Sequence, residues 1–149
     1  MPTPETEPHE IILAEHAELR GLLEDIDAAF REGPQTAGGG WREELLRAVK
    51  ALGPRLRSHY AREEAGGLFD SIRQADPNAG HACDRLQRQH AEHLAALDAL
   101  VHELENSPRD GRDALAGRVQ ALLDAVSHHE RQENALIADV FETDTGAQD

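Results

Sequence analysis

An all-α fold, an antiparallel up-down-up-down four-helix bundle, is what this sequence of 149 residues predicts. Three observations point there. Aromatic residues are only 3% of the chain while Leu and Ala dominate its apolar content, and strands favour β-branched and aromatic side chains, so composition argues for helix. Glycine and proline punctuation divides the chain into four segments, about 9–32, 41–73, 79–106 and 110–142. Each segment carries apolar residues at alternating steps of three and four, the period of a single helical face. The length suits one domain spanning 1–149, with a single core.

The elements follow in order. Pro8 can open the first helix, whose seam is Ile12, Leu19, Leu23, Ile26 and Phe30, with His16 at the position between Ile12 and Leu19. Gly33-Pro34 and Gly38-Gly39-Gly40 close it into a loop. The second seam is Leu45, Val49, Leu52 and Leu56, and its next two positions are His59 and Glu63. Gly53-Pro54 should kink this helix, because proline removes one backbone donor and crowds the preceding turn. Gly66-Gly67 allows a close helix contact or an early fray just past Glu63. Asp76-Pro77-Asn78 marks the next turn. The third seam is Cys83, Leu86, Leu97, Leu100 and Leu104, with His90 and His93 between. Asn106-Ser107-Pro108 turns the chain again, and the fourth seam runs Leu115, Val119, Leu122, Val126, Leu136 and Val140 around His129 and Glu133.

Every predicted core stripe is thus interrupted by metal-ligand chemistry. One histidine on an apolar face is ordinarily a core residue with one hydrogen-bond partner. A buried glutamate is rarer, since an ionised carboxylate in a core must be paired or coordinated. Two His-x3-Glu pairs on two helices, with seam histidines on the other two, exceed what scattered core histidines explain. At 1.5 Å rise per residue, His16, His59, Glu63, His90, His129 and Glu133 fall within roughly 10 Å of one another along the bundle axis. Residues four apart differ by one turn and about 40°, so each His-x3-Glu presents two ligands on one face.

Imidazole binds one metal terminally, whereas a carboxylate can bridge two. Four histidines and two glutamates therefore make a dinuclear set, and nitrogen combined with hard oxygen suits iron. Two six-coordinate irons offer about 12 positions, of which histidines fill about 4, bridging glutamates about 4 and an oxo or hydroxo bridge about 2. The remaining open positions point to small-ligand chemistry.

Four segments carry a resemblance: LAEHAELRGLL around His16, SHYAREEAGGLF around His59 and Glu63, LQRQHAEHLAAL around His90, and HHERQENALI around His129 and Glu133. From about Ile11 to Asp149 the chain resembles the hemerythrin-like, or HHE cation-binding, domain family. The resemblance implies a non-haem di-iron centre within a four-helix bundle that binds oxygen, nitric oxide or peroxide, or handles iron. Oxygen-carrying members are similar to one another in a His-x3-His on the third helix and a His-x4-Asp on the fourth. Here Leu94 occupies the first of those partner positions and the fourth-helix motif ends in Glu133. The set is more similar to members associated with iron-centre repair and nitrosative stress.

His93 is either a fifth histidine ligand or a residue lining the pocket. Tyr60, Glu64, Gln89 and Asn134 adjoin the ligand positions and are expected around them. His128 falls off the seam and should face outward, His9, His81 and His102 should lie on the surface, and Cys83 should fill core. The sequence lacks an HExxH pair, a cysteine cluster and a Glu-x2-His pair, which excludes the corresponding metalloprotease, structural-zinc and ferritin-type readings.

Lys and Arg total 15 against 29 Asp and Glu, a formal charge of −14. That balance opposes binding to nucleic acid or to an anionic membrane surface. The opening MPTPETEPHE has neither a basic nor an apolar region, and the chain has a single cysteine, so a cytoplasmic location is expected. The expected function is to bind or sense oxygen, nitric oxide or peroxide at a His/Glu-ligated pair of irons. Iron handling of the repair type, catalytic scavenging, or a regulatory module acting through the 32–40 loop and the acidic surface are the alternatives.

Overall fold

Proline at the start and a long 3–4 apolar period produce α1 (Pro8–Glu32), the first of four long helices in the computed structural model, which describes residues 7–32, 40–106 and 112–142. The other three are α2 (Trp41–Ala65), α4 (Gly80–Asn106) and α5 (Arg112–Ile137), with a short α3 (Leu68–Ala75) between α2 and α4. The loop at 33–39 and the turn at 107–111 lie outside the described residues. Among the described residues there is no strand, and no helix is long and apolar enough to cross a membrane.

Ion pairs and one hydrogen bond fix the directions of the helices. Along α1 and α2, Glu18 pairs with Arg55 and Glu15 with Arg62. Between α2 and α4, Lys50 meets Glu105 and Arg57 meets Asp98. On α4 and α5, Glu103 meets Arg118 while Gln89 meets His129. In each pairing one number rises as the other falls, so neighbouring helices are antiparallel. Contacts between α5 and α1 close the ring.

The predicted second segment, 41–73, is two helices rather than one. Gly67 takes a left-handed φ of 93°, and a Cβ on Gly66 would run into the Arg62 carbonyl oxygen, so only glycines permit this turn. The chain then folds α3 over one end of the bundle. Gly53-Pro54 does not interrupt α2. Before α4, Asp76 accepts a hydrogen bond from the Asn78 backbone N–H at 3.0 Å and leads into a 3₁₀ turn, Pro77–Ala79. After α5 the helix widens into a π turn, Ala138–Glu142.

The core is divided in two. The larger part packs Leu19, Leu23, Ile26, Val49, Leu52, Leu100 and Val126 between the four long helices. The smaller joins Ile12, Leu68, Phe69, Ile72, Cys83, Leu86 and Ile137 beneath α3. On α5 the seam runs through Ile137, four residues beyond Glu133, in place of the expected Leu136, which is only partly buried. The interrupting histidines and glutamates lie where the seams pass from one part to the other, held by apolar packing at both ends.

Candidate metal centre

All six predicted ligand positions come together in the interior, and none is more than 3% exposed. His16 Nε2 lies 3.0 Å from Glu133 Oε1, and His129 Nε2 lies 3.1 Å from Glu133 Oε2. His59 Nε2 and His90 Nε2 approach Glu63 Oε1 at 3.3 and 3.2 Å. Each glutamate therefore faces two histidines from different helices. Ligand atoms of His16, His59, Glu63 and Glu133 lie within 4.8 Å of one another, as do those of Glu63, His90, His129 and Glu133. Either group could hold a metal ion, and both glutamates belong to both groups.

The Nδ1 side of each imidazole is taken by an oxygen from a neighbouring helix. His16 donates to Asn134 Oδ1 at 2.7 Å, His129 to Gln89 Oε1 at 2.7 Å, His59 to Glu15 Oε1 at 3.1 Å and His90 to Glu64 Oε1 at 3.3 Å. With Nδ1 committed to these acceptors, each Nε2 turns inward toward the glutamates. The inward atoms His59 Nε2, His90 Nε2, His129 Nε2, both Glu63 oxygens and Glu133 Oε2 are buried without a hydrogen-bond partner. Leaving so many polar atoms unsatisfied in one place is costly. A cation satisfies them all, so this donor set fits a metal.

The hemerythrin HHE cation binding domain matches residues 7–141 of the sequence. The chain belongs to that family. No curated protein and no solved structure matches it. In this hemerythrin HHE domain, the predicted ligand positions lie on α1, α2, α4 and α5, with one of the four predicted histidine ligands on each helix.

Electrostatics follows from burial. Desolvation and the neighbouring Glu133 push the Glu63 carboxyl well above the ordinary range. Burial acts on Glu133 in the same direction, but Glu63, His129 and His16 hold it well below. Without a cation, one carboxyl of the pair is protonated and the other ionised, because two negative charges so close in a low dielectric repel. Burial drives His90 down to about 3 and His93 to about 4. It also opposes protonation of His16, but the Glu133 hydrogen bond and charge prevail and raise it.

His93 belongs to neither metal group; its Nδ1 is paired with Tyr60 Oη at 2.6 Å. Tyr60 stacks on His90 with ring centroids 3.9 Å apart, and burial raises its phenol so that it stays neutral. Glu64, Gln89 and Asn134 contact the histidines as adjacency suggested. His128, His81 and His102 are exposed. His9 is not simply on the surface: it is half-buried and stacked on Phe141 at 4.3 Å, because the π turn returns over the start of α1.

Two residues escaped the sequence reading. Glu15 backs His59 and precedes His16, as Gln89 precedes His90. Glu130 follows His129 but is 5% exposed, with Oε1 unpartnered. Burial raises its carboxyl to about 7, with nearby His16 and Arg20 partly opposing. A carboxyl raised in the folded state stabilises below its unfolded value, and that contribution is lost as pH rises through 7. Glu130→Gln should therefore stabilise the metal-free protein by roughly 2 kcal/mol at pH 8 and by little at pH 5. Paired thermal melts at the two pH values check this, and equal shifts at both would contradict it.

Proposed function

We propose that this protein is a non-haem di-iron protein that binds or senses oxygen, nitric oxide or peroxide. The observation that carries the reading is that Glu63 and Glu133 each belong to both four-residue groups. His16 and His59 would hold one iron, His90 and His129 the other, and the two glutamates would serve both. A bound pair of irons supplies redox chemistry and coordination positions open to a small ligand.

The chain's own residues do the rest. Glu15, Glu64, Gln89 and Asn134 hold the imidazoles with Nε2 turned inward. Tyr60 and His93 pair on the α4 side, presenting a neutral phenol rather than a charge. A groove of about 560 Å³ between α4 and α5, walled by Ala96, Ala121, Leu122 and Ala125, reaches His93 and Gln89 at the centre's edge. Its apolar walls suit a small uncharged ligand. The reading also fits a cytoplasmic setting, in which the lone buried Cys83 remains a thiol.

Purified from iron-replete cells, the protein should contain about two irons per chain and show charge-transfer absorption. Stopped-flow spectroscopy of the reduced protein with oxygen, nitric oxide and peroxide in turn then separates the roles. Reversible binding indicates a carrier or sensor, and turnover indicates a scavenger. One colourless zinc per chain would overturn the reading.

A further inference from the structure

The contacts that hold the four histidines run in one direction around the bundle. Glu15 on α1 accepts from His59 on α2, and Glu64 on α2 accepts from His90 on α4. Gln89 on α4 accepts from His129 on α5, and Asn134 on α5 returns to His16 on α1. Each acceptor adjoins a residue of the centre: Glu15 precedes His16, Gln89 precedes His90, Glu64 follows Glu63 and Asn134 follows Glu133. One two-helix unit, an acceptor-His pair followed by His-x3-Glu-acceptor, is thus written twice, over 15–64 and over 89–134.

The two copies differ in their acceptors. The first copy carries carboxylates, Glu15 and Glu64, and the second carries amides, Gln89 and Asn134. Glu15 and Gln89 serve a histidine in their own copy, whereas Glu64 and Asn134 serve one in the other. That crossover gives each four-residue group one carboxylate-backed and one amide-backed histidine. His59 and His16 form one such pair, and His90 and His129 form the other.

We propose that Glu15, Glu64, Gln89 and Asn134 are positioning residues that fix the tautomer of all four histidines and, by this crossed arrangement, deliver one backing carboxylate to each metal position. Hydrogen bonding to an anion makes an imidazole more basic and favours the more positively charged, oxidised metal. Of the two, Glu15 should have the larger influence. It is 21% exposed and oriented by Arg62 at 3.0 Å, whereas Glu64 is 47% exposed and more screened by water.

The redox part rests on the di-iron reading, but the tautomer part does not, so two readouts are needed. In the metal-free protein, nitrogen-15 NMR should show His59 and His129 as Nδ1–H tautomers. Glu15→Ala should release His59 from that form, Gln89→Ala should release His129, and Glu15→Gln should restore His59. With ferrous iron as the probe, the alanine variants should bind about 10- to 100-fold more weakly, while Glu15→Gln stays near the parent. Glu15→Gln should raise the midpoint potential and Gln89→Glu should lower it, each by about tenfold in the oxidised-to-reduced ratio, or about 59 mV for one electron. Unchanged tautomers in both alanine variants overturn the proposal, as do potentials that fail to move in opposite directions. If the chain took up no iron, the di-iron reading would fail and the tautomers alone would decide this one.

Discussion

Glu133→Ala should lose most of the bound iron rather than half of it. Its two oxygens face histidines of both metal groups, Oε1 toward His16 at 3.0 Å and Oε2 toward His129 at 3.1 Å. Deleting the side chain therefore removes a donor from both positions at once. Glu63→Ala should behave alike, since Glu63 approaches both His59 and His90. Both variants should be colourless. His16 belongs to one group only, so His16→Ala should retain a weakened or mononuclear site. The exposed His128 is the control, and His128→Ala should change nothing. Metal analysis across the four variants is the measurement, and full occupancy in either glutamate variant would remove the dinuclear reading.

Removing the metal should produce the largest change in stability. His59 Nε2, His90 Nε2, His129 Nε2, both Glu63 oxygens and Glu133 Oε2 then have no hydrogen-bond partner in a low-dielectric core. A ligand present at 1,000 times its dissociation constant stabilises the folded state by about 4 kcal/mol. For a chain of this size that is roughly 10 °C in melting temperature. Calorimetry with and without a chelator measures it, and coincident melts would show that the centre has no such role.

Acid should release the metal unevenly, because protons compete for the metal-free site. His16, raised by Glu133, takes a proton first, while His90, driven down to about 3 by burial, resists longest. The sign for His90 is fixed by that depression. Its contribution to the metal-free fold is complete above its ordinary value of 6.5 and disappears as pH falls through 3. Titrating the loaded protein should therefore empty the His16/His59 position before the His90/His129 position, visible as two steps in iron release.

By itself the sequence determined the four long helices, their order and the six residues that meet. Those features depend on local period: a seam with steps of three and four must lie on one face, and a histidine or glutamate on that seam must point inward. The same period did not reveal that the predicted second helix ends at Gly66-Gly67, because the apolar pattern resumes in Leu68, Phe69 and Ile72 after the break. Nor did it distinguish ligand from neighbour at His93. Both His90 and His93 lie on the inner face of α4, and only packing set the His93 ring against Tyr60 and left it outside both groups. Glu15 and Glu130 were hidden for a related reason. Each stands beside a seam histidine, a place that is solvent-facing on an isolated helix and becomes enclosed when a neighbouring helix packs against it. Periodicity records the direction of a side chain from its own helix axis, while burial, hydrogen-bond partner and charge state are properties of the space between helices, which exists only after they have packed.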